Sequence, residues 1–197
     1  MVTTRTVARQ ATRRAVLQAA ARLFEERGFL STTVRDIAHE ANVSVGTVMA
    51  AGEKEALLVE IFDDLIGERQ QLADEQVLNA SVRCGADVVA VVEPFVMFFE
   101  EHRDLAQAYA SILVSGRHSS IVFTDLARRL IAVFEHHMTA CGYSGPMEAR
   151  GRAEALHAAY IGSLFIWSAT PERPASEFLA QLRDVFVAIC LNQGGDS

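Results

Sequence analysis

The stretch Ser31 to Leu57, STTVRDIAHEANVSVGTVMAAGEKEAL, holds two short runs of helical spacing joined by a tight turn. Ile37 and Ala38 fall on the inner face of the first run, and Ala38 is small enough for a second helix to cross close above it. Asn42 stands at the turn, where the chain needs a left-handed residue; after glycine, asparagine tolerates that conformation best. Val43 and Val48 supply the apolar side chains that lock the second helix onto the first, and Ser44 is placed to cap the free amides of Val45 to Thr47. This is the spacing of a helix-turn-helix. Its outer residues, Val45, Gly46, Thr47 and Ala50, are left where a DNA major groove would meet them.

Working outward, a helix is expected from about Arg9 to Arg27, with Leu17, Ala20, Ala21 and Phe24 on one face and Gly28 as its C-cap. Thr32 or Thr33 caps the next helix, which ends near Ala41. Past Gly52, Glu53 opens a long helix whose buried stripe is Leu58, Ile61, Phe62 and Leu65. Gly85 precedes a helix from about Ala86 to Glu101 with Pro94 inside it as a kink. Further helices follow from about Asp104 to Ser115, ending at Gly116, and from Ser120 to Ala140, before a loop over Gly142 to Pro146. The fold class is all-α, with about nine helices: a three-helix amino-terminal headpiece over residues 1–52 and a helical body over 53–197.

The helix expected over Met147 to Ala169 differs in kind. One face carries Ala153, Leu156, Tyr160, Leu164 and Trp167, while another carries Ala155, Ala158, Ala159, Gly162 and Ile166. A helix apolar on two sides must be buried on two sides. After the break from Pro171 to Pro174, the last helix repeats the pattern with Phe178, Leu182, Val185, Phe186 and Ile189. These two helices either complete the core or form a four-helix interface with a second copy. The candidate interface is Ala155, Ala158, Ala159, Gly162, Ile166, Phe178, Leu182, Phe186 and Ile189.

Half of the 197 residues are hydrophobic and 22% charged, which excludes a disordered or collagen-like chain. The net charge of −7 hides an asymmetry. Through residue 54 there are eight basic and five acidic residues; beyond it there are ten and twenty. Positive charge thus gathers where phosphate would be met. The polar, arginine-bearing start carries no signal peptide, and the most apolar run, residues 155–170, is too short and too polar to span a membrane, so a cytoplasmic location is expected. Cys84, Cys141 and Cys190, odd in number and widely spaced, read as reduced core thiols. His137 and Cys141 lie four apart beside His136, but without a third ligand no metal is expected. No phosphate loop, nucleophile elbow or paired catalytic motif appears, so neither enzyme nor cofactor is expected.

From Thr12 to Phe62 the chain resembles the tetracycline-repressor (TetR) family of bacterial transcriptional regulators. The likeness rests on Arg13-Arg14-Ala15-Val16-Leu17, Ala19-Ala20-Ala21-Arg22-Leu23-Phe24, Glu26-Arg27-Gly28-Phe29, Thr32-Thr33-Val34-Arg35-Asp36-Ile37-Ala38, Val43-Ser44-Val45-Gly46-Thr47-Val48 and Lys54-Glu55-Ala56-Leu57-Leu58. The resemblance implies a homodimer whose headpieces bind a palindromic operator as a repressor, with a small-molecule effector in the body that releases DNA. It places Ser44, Gly46 and Thr47 at recognition-helix contacts, Thr33 and Arg35 near the backbone, and Lys54 on phosphate. The sequence departs from the family at Met49-Ala50-Ala51-Gly52, one residue short and lacking the usual aromatic. Grip is then expected from Arg35, Lys54, Thr47 and an arginine arm that includes Arg13, with Val45 and Met49 meeting thymine methyls. The alternative is a ligand- or protein-binding module of the same build with weakened or lost operator binding.

The effector-site candidates are Phe95, Phe98, Phe99, Tyr109, Leu113, Phe123, Phe134, His137 and Tyr160, which either line a cavity for a hydrophobic or aromatic small molecule or serve as ordinary core.

Overall fold

The computed structural model describes residues 4–77, 86–143, 145–170 and 172–191. Among these the chain is all-helical, with α1 Thr4–Arg27, α2 Val34–Glu40, α3 Val45–Ala51, α4 Lys54–Val77, α5 Glu93–Glu101, α6 Arg103–Val114, α7 Ile121–Ala140, α8 Pro146–Ser168 and α9 Ala175–Cys190. A 3₁₀ turn, Ala86–Val91, precedes α5. The expected breaks at Gly85 and Pro171 lie outside the described residues, as does Cys84.

Two helix starts differ from expectation. The first helix begins at Thr4 rather than near Arg9, because nothing in the polar arm breaks a helix. Pro94 starts α5 instead of kinking a longer helix: it sits in the first turn, where its missing N–H is not needed. The chain therefore divides at Val92, which caps α5.

Two compact units form, Met1–Leu65 with Asp104–Ser120, and Ile66–Arg103 with Ile121–Ser197. The first holds α1 to α3, the first half of α4 and nearly all of α6. Its core is Val16, Ala19, Ala20, Leu23 and Phe24 of α1, Ile37 and Ala38 of α2, Val48 of α3, Leu57, Leu58 and Phe62 of α4, and Tyr109 and Ile112 of α6, all buried. Phe62 and Tyr109 pack ring to ring at 4.7 Å. At roughly 1.5–3 kcal/mol for each large apolar side chain buried, this cluster outweighs any single polar contact in the unit.

In the second unit α7 and α8 pack as neighbours, with Arg150 of α8 bridging Glu135 of α7 at 3.1 Å. Phe134, Met138, Ala153, Leu156, Tyr160, Phe178, Leu182 and Phe186 fill the space between α7, α8 and α9. Trp167 stacks on Phe178 at 4.9 Å and donates its indole N–H to the Arg173 carbonyl. Arg103 lies over the Trp167 ring and donates to the carbonyls of Thr170 and Arg173, which fixes the turn between α8 and α9. Cys190 is free and buried. Cys141, however, is disulfide-bonded, a correction to the expected reduced thiols: distance along the chain says nothing about the few ångströms between sulfurs that decide pairing. Among the described residues no helix is long and apolar enough to cross a membrane.

Candidate functional site

The turn of the headpiece is built from side chains that satisfy backbone. Thr33 caps α2 in a capping box: its hydroxyl accepts from the Asp36 amide while the Asp36 carboxylate accepts from the Thr33 amide at 2.8 Å. Those bonds to the charged form hold the Asp36 carboxyl below its ordinary range. Asn42 adopts φ 52°, the left-handed conformation expected of it, and the Val43 amide reaches back to the Ala38 carbonyl at 2.9 Å. Ser44 then caps α3, its oxygen accepting from the Thr47 amide at 3.1 Å and lying 2.9 Å from the Thr47 hydroxyl. With Ile37, Ala38 and Val48 buried beneath, α3 presents Val45, Gly46, Met49 and Ala50 to solvent, and Thr47 is half-exposed.

Gly46 is not held by lack of room. A Cβ there would meet only the Ser44 oxygen, at 3.7 Å, which is ordinary contact. Between α1 and α3 runs a groove of about 220 Å³ lined by Arg9, Thr12, Arg13, Thr47, Ala50 and Ala51. Its room comes from the two alanines, where the resemblance leads one to expect larger side chains.

The cations divide into two groups. Arg9, Arg14 and Arg35 are exposed and form no ion pair among the described residues. Arg22 pairs with Glu40 on the surface at 2.9 Å. Arg13, by contrast, engages both carboxylate oxygens of Glu60 on α4 with its two terminal nitrogens. Lys54 turns inward: its ammonium donates to the carbonyls of Phe29 and Thr32, each at 2.9 Å, and lies 4.2 Å from the Phe29 ring centre. Burial lowers its pKa.

Within the same unit α6 is tied to α4. Oδ1 of Asp63 accepts from the hydroxyls of Tyr109 and Ser120, both at 2.7 Å, and Glu55 meets Arg117 at 2.9 Å and His118 at 3.4 Å. Burial raises the Asp63 carboxyl, and burial together with the neighbouring carboxylate raises the Tyr109 hydroxyl. Nothing in the sequence spacing flagged Asp63, because its partners lie 46 and 57 residues away.

The effector candidates divide between the two units. Tyr109 and Leu113 belong to the first unit; Phe95, Phe98, Phe99, Phe123, Phe134, His137 and Tyr160 belong to the second. Phe95, Phe98 and Phe99 are buried on α5, Phe134 packs edge-on against Phe186, and Tyr160 is buried on α8. Phe123 and Leu113 are half-buried. His137 is buried and His157 half-buried, and among the described residues the Nε2 of each, itself shielded from solvent, has no partner; burial lowers the pKa of both, and for His137 the neighbouring His136 adds to it. A second groove, about 540 Å³, runs along α6 beside the α1–α2 turn and is lined by none of these candidates. No cluster of three or more potential metal ligands occurs among the described residues.

On α8, Ala155, Ala158, Gly162 and Ile166 are exposed along one face and Ala159 is half-exposed. Phe165, on the same side, was missed by the sequence reading and is also exposed. Phe178, Leu182 and Phe186 instead turn into the core of their own chain, at 1%, 1% and 0% exposure, and Ile189 is half-buried. The period of an apolar stripe identifies a buried face but not which chain buries it.

Residues 16–61 match the model of the bacterial regulatory proteins of the tetR family. No curated protein matches. Among solved structures, the fold is similar to FadR of Thermus thermophilus, a transcriptional repressor solved with lauroyl-CoA: 19% identity, TM-score 0.64, covering 94% of this chain and 98% of that one. FadR of Bacillus subtilis with stearoyl-CoA follows at 14% identity and TM-score 0.61, over 92% and 98%. NalD of Pseudomonas aeruginosa, the secondary repressor of the MexAB-OprM multidrug efflux pump, gives 20% and 0.57, over 93% and 98%.

Proposed function

We propose that this chain, a tetR-family protein by its headpiece, regulates transcription by binding a palindromic operator as a homodimer, acting as a repressor that a hydrophobic small molecule releases. The observation that carries the reading is the headpiece itself: a capped helix-turn-helix whose α3 presents Val45, Gly46, Thr47 and Met49 outward, in a unit that also exposes Arg9, Arg14 and Arg35. On this reading residues 1–52 enter the major groove, Thr47 and the apolar pair Val45 and Met49 read base edges and thymine methyls, and Thr33, Ser44 and Arg35 meet the backbone. Residues 53–197 supply pairing and effector binding. The exposed face of α8 supports pairing, since contact between two copies would cover Ile166 and Phe165.

The aromatic side chains of α5 and α7 suit an apolar effector, and acyl-CoA thioesters are the first class to assay because two FadR proteins of the same fold were solved with them. A cytoplasmic location goes with this role. The test is affinity for the DNA upstream of the chain's own gene against a random duplex, over a range of salt. A preference for the upstream duplex with a steep negative salt dependence supports the reading. Equal, weak binding to both favours the second reading, a ligand- or protein-binding module with weakened or lost operator binding, which the shortened Met49 to Gly52 segment recommends.

A further inference from the structure

We infer that Lys54 and Arg13 are positioning residues that brace α4 against the headpiece rather than ligands of DNA phosphate, so that electrostatic grip falls to Arg9, Arg14 and Arg35. The inference rests on the DNA-binding reading above and deepens it. An ammonium has three N–H donors, and Lys54 commits two of them to the carbonyls of Phe29 and Thr32 while its charge faces the Phe29 ring. Thr32 is itself buried, its hydroxyl donating toward the carbonyls of Gly28 and Leu23. The loop from Gly28 to Thr32 is thus held from two directions, and the next residue, Thr33, caps α2. Where Lys54 sits therefore sets where α2, and after it α3, begins.

Composition speaks to the same point. Lys54 is the only lysine among the eighteen basic residues of the chain. Arginine, with its planar fork, is the better partner for a phosphate, and this chain uses it everywhere else. Arg13 is held in the same way: its fork is matched to both oxygens of Glu60, and the charge of Asp64 adds to the hold.

The test uses the full chain, a duplex it selects from a random library, and an unrelated duplex of equal length. Lys54→Met is expected to weaken binding to the selected duplex while keeping the wild-type slope of log affinity against log salt; Arg35→Gln lowers that slope by about 0.9, the loss of one phosphate contact. Lys54→Arg keeps the charge but not the fit, and is expected to lose affinity as Lys54→Met does. Arg13→Gln and Glu60→Gln should weaken binding alike and combine to less than their sum. A slope reduced by about 0.9 in Lys54→Met, full affinity in Lys54→Arg, or tighter binding in Glu60→Gln would each overturn the inference. If the wild type selects no duplex, the functional reading fails and the brace is still decided on the free protein. The single lysine then gives one ¹⁵N ammonium signal, expected to be protected from exchange, and Lys54→Arg is expected to melt several degrees lower; an unprotected signal or an unchanged melting point would overturn it.

Discussion

Removing the carboxylate of Asp63 should loosen α6 from α4, and the size of the effect follows from its geometry. A single oxygen, Oδ1, accepts from Tyr109 and Ser120, both of them buried, so Asp63→Ala deprives two hydroxyls of their acceptor. Each such loss costs about 1–3 kcal/mol. Part is recovered, because the two hydroxyls are close enough to bond each other and because a carboxylate whose pKa burial raises is no longer paid for in desolvation. A net loss of about 2 kcal/mol is expected, or roughly 4–8 °C in Tm for a chain of this length. Asp63→Asn retains the shared oxygen without the charge and is expected within about 1 kcal/mol of wild type at neutral pH. The sign of the pH dependence is fixed by the raised pKa: the folded carboxyl binds its proton at higher pH than the unfolded one, so the wild type gains on Asp63→Asn as pH falls toward 3.8. Urea denaturation followed by circular dichroism gives these differences. An Asp63→Ala midpoint equal to wild type, or an Asp63→Asn loss as large as that of Asp63→Ala, would refute the idea that the shared acceptor holds the two helices.

Thr47→Ala should leave stability nearly unchanged, since Ser44 still caps α3, but should alter base preference at one position of each half-site by about 1–3 kcal/mol, read by sequencing bound duplexes from a random library. Ile166→Glu, at a position 71% exposed, should leave each chain folded and reduce pairing, so that sedimentation at micromolar concentration shifts from two copies to one and operator affinity falls with it. Burial lowers the pKa of His137 and His157 below the 6.5 of unfolded histidine, so the unfolded chain takes up their protons at higher pH than the fold does. Stability should therefore fall as pH drops below about 6.5, and the fall should flatten in a variant with both changed to Gln, measured as denaturation midpoints from pH 7.5 to 5.

Local chemistry was legible in the sequence wherever the residue that fixes a conformation lies within a few positions of it. Asn42 at its left-handed turn, Thr33 and Ser44 at their caps, and the buried Ile37, Ala38 and Val48 are of this kind. Pro94 shows the limit of local reading, because proline both breaks helices and begins them, and the choice at Val92 depends on packing around it. The inward turn of Lys54 was not legible: its acceptors are backbone carbonyls 25 and 22 residues back, and any residue type would supply them. The same holds for Phe178 and Phe186, whose period marks a buried face without saying that α7 and α8 of the same chain cover it. The effector site is the least legible part, since large apolar side chains serve a cavity and a core equally well until their neighbours are known.

The central claim, that α3 of two paired copies reads DNA, is tested most directly by hydroxyl-radical footprinting on the upstream region. The expected result is protection of a twofold-symmetric site whose half-sites are about one helical turn, or a multiple of it, apart, with protection lost on adding a matching effector. Protection without symmetry or sequence preference at physiological salt, or none at all with folded protein, would contradict it.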